Sequence, residues 1–492
     1  MIDERDTSLI YFAAGNMNTR TLLIGDFSSQ DISSYSKHFG NLKHTGFEQL
    51  AESSNSEIID ESLINEHWEL VFISATWFDL KNYSKEIEIF MEKGQFLKMV
   101  LVKLRFGKYS FMNYSRADQL SKKMNAKLYF PLPSFDKFKL ILPISDASST
   151  LAGLQLYNPV SNFQIIRNIL LKLLIRFGIL KYFLKDILVV SHLSKEMSEI
   201  LNSPTEKPGN LPKEFVLHNA SAGTGTKALI AGIDGDNKIK NFIKVSNDPI
   251  RKSLIENEFN IVKLLDQKKI SCGINADEIG LKEFDSYSAI YFSKFNPKLK
   301  PSGLKITERH LFFLAELFNK TKTNEYFYNS SPYKEVQRQI DRYFIEENHK
   351  ILSLALQRVN DKFDDKIWIG LAHRDFVAWN IKYDEGKLFV YDWEWAAPSL
   401  PLYDLLHFII HGKLHLEKKS ISDTVFLILK DAQYLNLFKR FSEMINENSR
   451  ILKTCLLYYL IDRITFEAEL AQDNKTDKNY FTCLQKLMLD FS

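Results

Sequence analysis

The 492 residues are 45% hydrophobic and 25% charged, the composition of an ordinary soluble protein, and the length predicts two or three domains with ample buried core. A net charge of +3 gives no case for a nucleic-acid binder. Cys272, Cys455 and Cys483 are scattered without metal-ligand spacing, which argues against a disulfide framework and fits a reducing cytoplasm; the acidic, polar start Met1–Asp6 carries no signal-peptide pattern.

In chain order, Thr21–Gly25, Leu70–Ser74 and Phe96–Leu104 read as buried strands, with a helix over Lys85–Glu92 and Gly94 as its C-cap. Strands alternating with helices predict an α/β N-terminal domain over residues 1–200, Rossmann-like with a mostly parallel sheet. Pro131–Phe135 reads as a proline-stiffened turn before a sheet-closing strand, Lys139–Ile144. Ile165–Val190 is rich in Leu, Ile and Phe, but Arg167, Lys172, Arg176, Lys181 and Lys185 interrupt it. No run of about 18 uncharged apolar residues exists, so a transmembrane segment is rejected. A packed helix pair broken near Gly178 is expected; peripheral membrane contact by a basic amphipathic helix is the alternative.

Within this half, Leu22–Asp26, Trp68–Phe72 and Met91–Phe96 resemble the first strand and glycine turn, a Phe-Asp-Leu-Val strand and a later turn of class I S-adenosylmethionine-dependent methyltransferases. A cofactor-binding turn needs several small residues, yet Gly25 is followed by Asp26, Phe27, Ser28 and Ser29, and no acidic ribose-binding residue is evident. The resemblance implies a retained fold with a degenerate cofactor site; an active methyltransferase is the alternative.

Residues 201–212, polar with Pro and Gly, read as a linker. Phe215–His218 and Ala228–Ile233 are strands around a small-residue turn, Asn219–Lys227, whose Gly223 and Gly225 free backbone N–H groups for phosphates. Asn241–Val245, with Lys244, precedes a helix over Pro249–Asp266 whose apolar stripe is Ile255, Phe259, Val262 and Leu265. Glu258 lies beside that stripe and Glu256 points away from it. A buried lysine requires an anionic partner, which makes Glu258 the candidate for Lys244; a solvated helix carboxylate is the alternative. Ala289–Phe295, including Phe292, is a further apolar strand, and 306–363 is helical with Val336, Ile340, Tyr343, Phe344 and Ile351 as a core stripe.

The chemistry concentrates at Leu371–Ile381 and Val390–Glu394. Asp375 is placed to orient a substrate hydroxyl as base, Asn380 to hold a metal ion, and Asp392 to hold metal against nucleotide phosphates. A base, an amide and a carboxylate separated by a hairpin can converge on one point, and phosphoryl transfer needs that set. Helices are expected over 424–430, 451–471 and 480–489.

His373-x-Asp375 with Asn380 five residues on, then Asp392-Trp393-Glu394 and Pro401–Leu406, resembles the aminoglycoside phosphotransferase and choline kinase family, from Phe215 to the C-terminus. The resemblance implies an α+β bilobal protein-kinase-like domain: an N-lobe over 213–297 and a helical C-lobe over 298–492. It implies ATP as nucleotide, Mg²⁺ as metal, and transfer to a hydroxyl of a sugar, amino sugar or amino alcohol. His373 would stand with Asp375 in the catalytic loop as its brace; Lys244 would neutralise the α and β phosphates; the strand bearing Phe292 would lead to the adenine hinge. Glu394 would orient substrate or a metal-bound water, and Asp404 would brace a helix. Arg374 stands where this family often has Gly. A role in surface-glycan assembly is an analogy with fused enzymes. A kinase-fold binding module without turnover is the rival. Protein kinase activity ranks last, because Asp-Phe-Gly is missing and little chain separates Asp392 from Tyr403. Acceptor and oligomeric state are not legible.

Overall fold

A computed structural model describes residues 20–25, 27, 41–45, 68–76, 96–105, 112–123, 125–133, 140–144, 146–157, 162–190, 212–219, 228–246, 249–283, 288–293, 299–363, 366–384, 387–471 and 478–489. The expected helix Lys85–Glu92, the cofactor-like turn after Gly25 apart from Phe27, and the linker apart from Pro212 lie outside them. The chain divides into two compact units, the first formed by Met1–Tyr157, Phe163–Ile255 and Glu278–Pro297, the second by Asn158–Asn162, Glu256–Asp277 and Lys298–Ser492.

The first unit is built on one twelve-stranded sheet. Its strands are β1 (Arg20–Gly25), β2 (Asn41–Thr45), β3 (Trp68–Thr76), β4 (Phe96–Arg105), β5 (Lys127–Leu132), β6 (Leu140–Pro143), β7 (Asp186–Val190), β8 (Glu214–Asn219), β9 (Ala228–Ile233), β10 (Ile239–Ser246), β11 (Ile279–Glu283) and β12 (Ser288–Phe292). Their spatial order is β11-β12-β10-β9-β8-β6-β5-β7-β4-β3-β1-β2. Strands β2, β1, β3 and β4 are mutually parallel, and every pairing from β4 towards β11 is antiparallel. The mostly parallel sheet expected of the N-terminal half is therefore parallel over four strands and antiparallel over β5, β6 and β7. The parallel strands explain their sequence. Leu22, Leu23, Ile24, Val71, Phe72 and Ile73 are buried as unbroken apolar runs, as strands covered on both faces require. Strands β6 and β8, on either side of the segment read as a linker, are hydrogen-bonded neighbours, pairing Leu140 with His218 and Ile141 with Leu217. Nearby, Tyr129 of β5 stacks on Phe215 of β8 at 4.4 Å.

Helices α1 (Met112–Lys123), α2 (Ala147–Leu154) and α3 (Asn162–Arg176) belong to this unit. The expected helix pair over Ile165–Val190 is corrected. Gly178, at φ +65°, ends α3; a short 3-10 turn follows at Leu180–Phe183, and Asp186–Val190 is strand β7. Nor is α3 packed all round: Phe163, Ile166 and Leu170 are 75%, 66% and 56% exposed. The proline-stiffened turn is also corrected, because Pro131 and Leu132 close strand β5. Helix α4 (Pro249–Gln267) starts in the first unit and continues into the second.

The second unit is mainly helical: α5 (Glu308–Thr321), α6 (Ser331–Tyr343), α7 (Glu346–Asp361), α8 (Tyr403–His411), α9 (Ile421–Lys430), α10 (Ala432–Met444), α11 (Leu452–Ala471) and α12 (Lys478–Leu489). Helix α11 is buried on nearly every face, as a central helix must be, and packs against α6, α7, α8 and α12. Two small sheets flank the loop that begins at His373 and the turn that holds Asp392. One is β13 (Lys300–Pro301), β16 (Ile381–Asp384) and β17 (Lys387–Val390); the other is β14 (Thr323–Glu325), β15 (Ile367–Ala372) and β18 (Ala397–Ser399). Helix α5 lies close on β15, where a Cβ at Gly370 would stand 2.5 Å from the Phe318 ring.

Candidate active site

The loop leaving β15 at His373 is fastened by its own side chains and by α8. The Asp404 carboxylate accepts the backbone N–H of His373 at 2.7 Å and of Arg374 at 2.9 Å. Burial pushes this carboxyl up to about 7, against the pull of those two amides. His373 is fully buried. The N–H of Asp375 donates to its Nδ1 at 3.2 Å, so Nδ1 accepts and Nε2–H donates to the Tyr391 carbonyl at 2.9 Å. The ring thus ties the loop to the residue before Asp392, and it rests against Trp393 at 4.5 Å. Both ring nitrogens are engaged, which is the geometry of a brace rather than of a proton carrier.

Arg374 sits at φ +63°, a conformation that favours glycine. What holds an arginine there is its side chain, whose Nη2 donates to both oxygens of the buried Asp462 at 2.7 and 2.9 Å. Tyr403 donates to the same carboxylate at 2.5 Å, so loop, α8 and α11 meet on one buried charge. Beneath them, Phe376 lies among Phe313, Phe408 and His310.

Asp375 projects from this frame. Burial, and then the like charge of Asp392, raise its carboxyl from 3.8 to about 6. The amide nitrogen of Asn380 donates to its Oδ2 at 2.8 Å and to its carbonyl at 3.1 Å. The orientation of Asn380 follows, with its oxygen as the atom free in chemical type to meet a cation. His407, one turn along α8 from Tyr403, places Nε2 3.5 Å from the other oxygen of Asp375. Burial holds this imidazole neutral, its pKa well below the ordinary value, and its Nδ1 meets the Tyr459 hydroxyl at 3.1 Å. His407 lies just beyond the family-like run Pro401–Leu406, and its spacing from Asp404 on one helix face is the signal in the sequence for it.

Asp392 follows β17 in the left-handed region, at φ +70° and ψ +56°. A non-glycine residue held there marks a position over-determined by its surroundings. Its carboxylate forms a group with those of Glu258 and Glu394, one oxygen from each lying within 4.8 Å of the others. Glu258 and Glu394 are buried, at 1% and 5% exposure. Neighbouring Asn257 explains the meeting: its Nδ2 donates to the carbonyls of Glu394 at 2.9 Å and Ala396 at 3.1 Å, which pins α4 to the turn after Asp392. An all-oxygen set of this kind suits a hard divalent ion. The residues present therefore fit Mg²⁺. Of the residues expected at the site, Asp392 stands together with Glu258 and Glu394.

In the first unit, Lys244 is buried on β10, and its Nζ lies 5.6 Å from the ring centre of Phe292 on the adjacent strand. Phe292 stacks on Phe242 at 4.4 Å. Two of the expected nucleotide-side residues are thus neighbours, while Gly223 and Gly225 lie outside the described residues.

No protein-family model and no curated protein matches the chain. Among solved structures, its C-terminal part is similar to aminoglycoside phosphotransferases and choline/ethanolamine kinases. One is an amicoumacin kinase in complex with AMP-PNP and Ca²⁺, 12% identical, covering 56% of this chain and 87% of that one with a TM-score of 0.32. A second is an aminoglycoside phosphotransferase with AMP-PNP and hygromycin B, 13% identical over 56% and 92%, TM-score 0.35. A third is an ethanolamine kinase from Plasmodium vivax, 15% identical over 56% and 82%, TM-score 0.37. Among the described residues, no helix is long and apolar enough to cross a membrane.

Proposed function

We propose that this chain is an ATP- and Mg²⁺-dependent kinase that transfers the γ-phosphoryl group to a hydroxyl of a small molecule: a sugar, amino sugar or amino alcohol. The observation that carries the reading is the pairing of a braced carboxyl, raised to about 6 by burial and by Asp392, with the three-carboxylate group that contains Asp392. A base poised near neutral pH beside a divalent-cation cradle is what transfer to an alcohol requires.

Asp375 receives the acceptor's hydroxyl proton as the oxygen attacks the γ-phosphorus and the bond to the β-phosphate oxygen breaks. Asn380 fixes the Asp375 carboxyl through the 2.8 Å hydrogen bond, and its own oxygen is the atom that would serve as a metal ligand. His373 holds the loop's register, with Asp404 taking two of its amides. Asp392, Glu258 and Glu394 would hold Mg²⁺, which when bound would supply neutralisation of charge on the phosphate oxygens. Lys244 offers a cation to the α and β phosphates, and the strand bearing Phe292 leads to the nucleotide base.

The test is an ADP-release assay across a panel of hydroxyl acceptors, run beside Asp375→Asn. Turnover should fall by roughly 10²–10⁴-fold in the variant with nucleotide affinity kept. Full turnover in Asp375→Asn, or nucleotide binding with no phosphorylated product from any acceptor, contradicts the reading.

A further inference from the structure

Helix α3 carries an apolar face that the first unit does not cover. At about 100° per residue, Phe163, Ile166, Ile169, Leu170, Leu173 and Phe177 fall within an arc of about 120°. All six are exposed. The helix is anchored by its other side, where Asn168 and Ile175 are buried at 8% and 4% exposure. The helical path continues one step past Arg176, since Phe177 donates to the Leu173 carbonyl at 3.0 Å, so Phe177 extends the same face. A stripe of this size and continuity on a helix side is the mark of an interaction surface rather than of scattered surface residues.

The charges say what the surface meets. Arg167 lies to one side of the apolar arc, and Lys172 and Arg176 lie to the other. From Ala147 to Lys185 the sequence contains no Asp or Glu, while Arg167, Lys172, Arg176, Lys181 and Lys185 add five positive charges. An apolar stripe bordered on both sides by long basic side chains matches a bilayer surface: rings and aliphatic chains enter the acyl boundary while the cations reach phosphate headgroups. A second copy of the chain fits worse. A two-fold contact would set the same basic borders against each other with no acid on this segment to pair them.

We infer that α3 is a membrane-surface helix that docks the protein on an anionic lipid bilayer, lying in the interface plane without crossing it. The association is electrostatic at long range and apolar at contact. Added salt therefore weakens it, as expected when the screening length falls to the size of the basic border.

The experiment uses the full chain with two kinds of vesicle: phosphatidylcholine alone, and phosphatidylcholine mixed equally with phosphatidylglycerol. Co-sedimentation is measured for the wild type, for Arg167→Glu/Lys172→Glu/Arg176→Glu and for Phe163→Ser/Ile166→Ser/Leu170→Ser. Every altered apolar side chain is exposed, and an unchanged far-ultraviolet circular dichroism spectrum checks the fold. The wild type should bind the anionic vesicles and not the neutral ones. Charge reversal should lower its partition coefficient on the order of 10²-fold, and the serine variant should lose binding at any salt. Wild-type protein left in the supernatant with anionic vesicles overturns the inference. So does equal binding by all three proteins, or a wild-type dimer in sedimentation that the serine variant dissolves.

Discussion

Asp375 opposes its own ionisation, and that opposition is measurable without any substrate. Its carboxyl rises from 3.8 to about 6 through burial and the like charge of Asp392. A folded-state pKa raised above the unfolded value means stability fully present below about pH 3.8 and lost as pH rises through about 6. At about 1.4 kcal/mol per unit, the full cost at pH 8 would be about 3 kcal/mol. The Asp375 side chain is 31% exposed, and water screens part of that, so about 2 kcal/mol is the working figure. Asp375→Asn keeps the shape and removes the charge. Urea denaturation of both proteins, with a chelator present and the m-value compared, gives the difference directly. The variant should match the wild type at about pH 4 and exceed it by about 2 kcal/mol at pH 8. Excess Mg²⁺ should shrink the gap, because a nearby cation restores the value of the charge. Equal stability at every pH, or a less stable variant at pH 8, would refute the placement of Asp375 beside a like charge.

Three further outcomes follow from the same geometry. Arg374→Ala strands the buried Asp462 carboxylate and should destabilise the protein by about 3–5 kcal/mol, whereas Arg374→Gly should recover about 1 kcal/mol of that because φ +63° suits glycine; thermal denaturation compares the two. Gly273→Ala, at φ +83° with its Cβ pressed into the Phe389 ring, should distort the β16–β17 hairpin and lower stability by about 1–3 kcal/mol, read by the same method. Lys244→Met should raise the nucleotide KM by about tenfold or more while leaving the melting transition of the second unit in place, if Lys244 serves phosphates.

The candidate loop was legible because its groups are close in sequence: His373, Asp375, Asn380 and Asp392 are joined by one short hairpin. Glu258 was legible as a candidate partner for Lys244, from its place beside the apolar stripe of its helix. Its grouping with Asp392 and Glu394 depends on Asn257 meeting two carbonyls more than a hundred residues away, which no local period reports. Asp404 was read as a brace of its helix and instead holds the loop amides, a contact fixed by how α8 approaches β15. In the first half, Leu22–Ile24 and Val71–Ile73 announced buried strands by their unbroken apolar runs. The pairing of β6 with β8 left no trace, since hydrogen-bonded neighbours across a sheet need no shared sequence pattern. The α3 segment was ambiguous for a physical reason: an apolar stripe reads the same whether a core or a lipid surface covers it, and only its exposure separates the two.

The most direct test of the cation cradle is calorimetric titration of AMP-PNP, with Mg²⁺ or with chelator, into the wild type and Asp392→Asn. Binding should depend on Mg²⁺ in the wild type and weaken by about 10–100-fold in the variant. Equal affinity with chelator and with Mg²⁺, unchanged by Asp392→Asn, would contradict a phosphoryl-transfer site built on Asp392, Glu258 and Glu394.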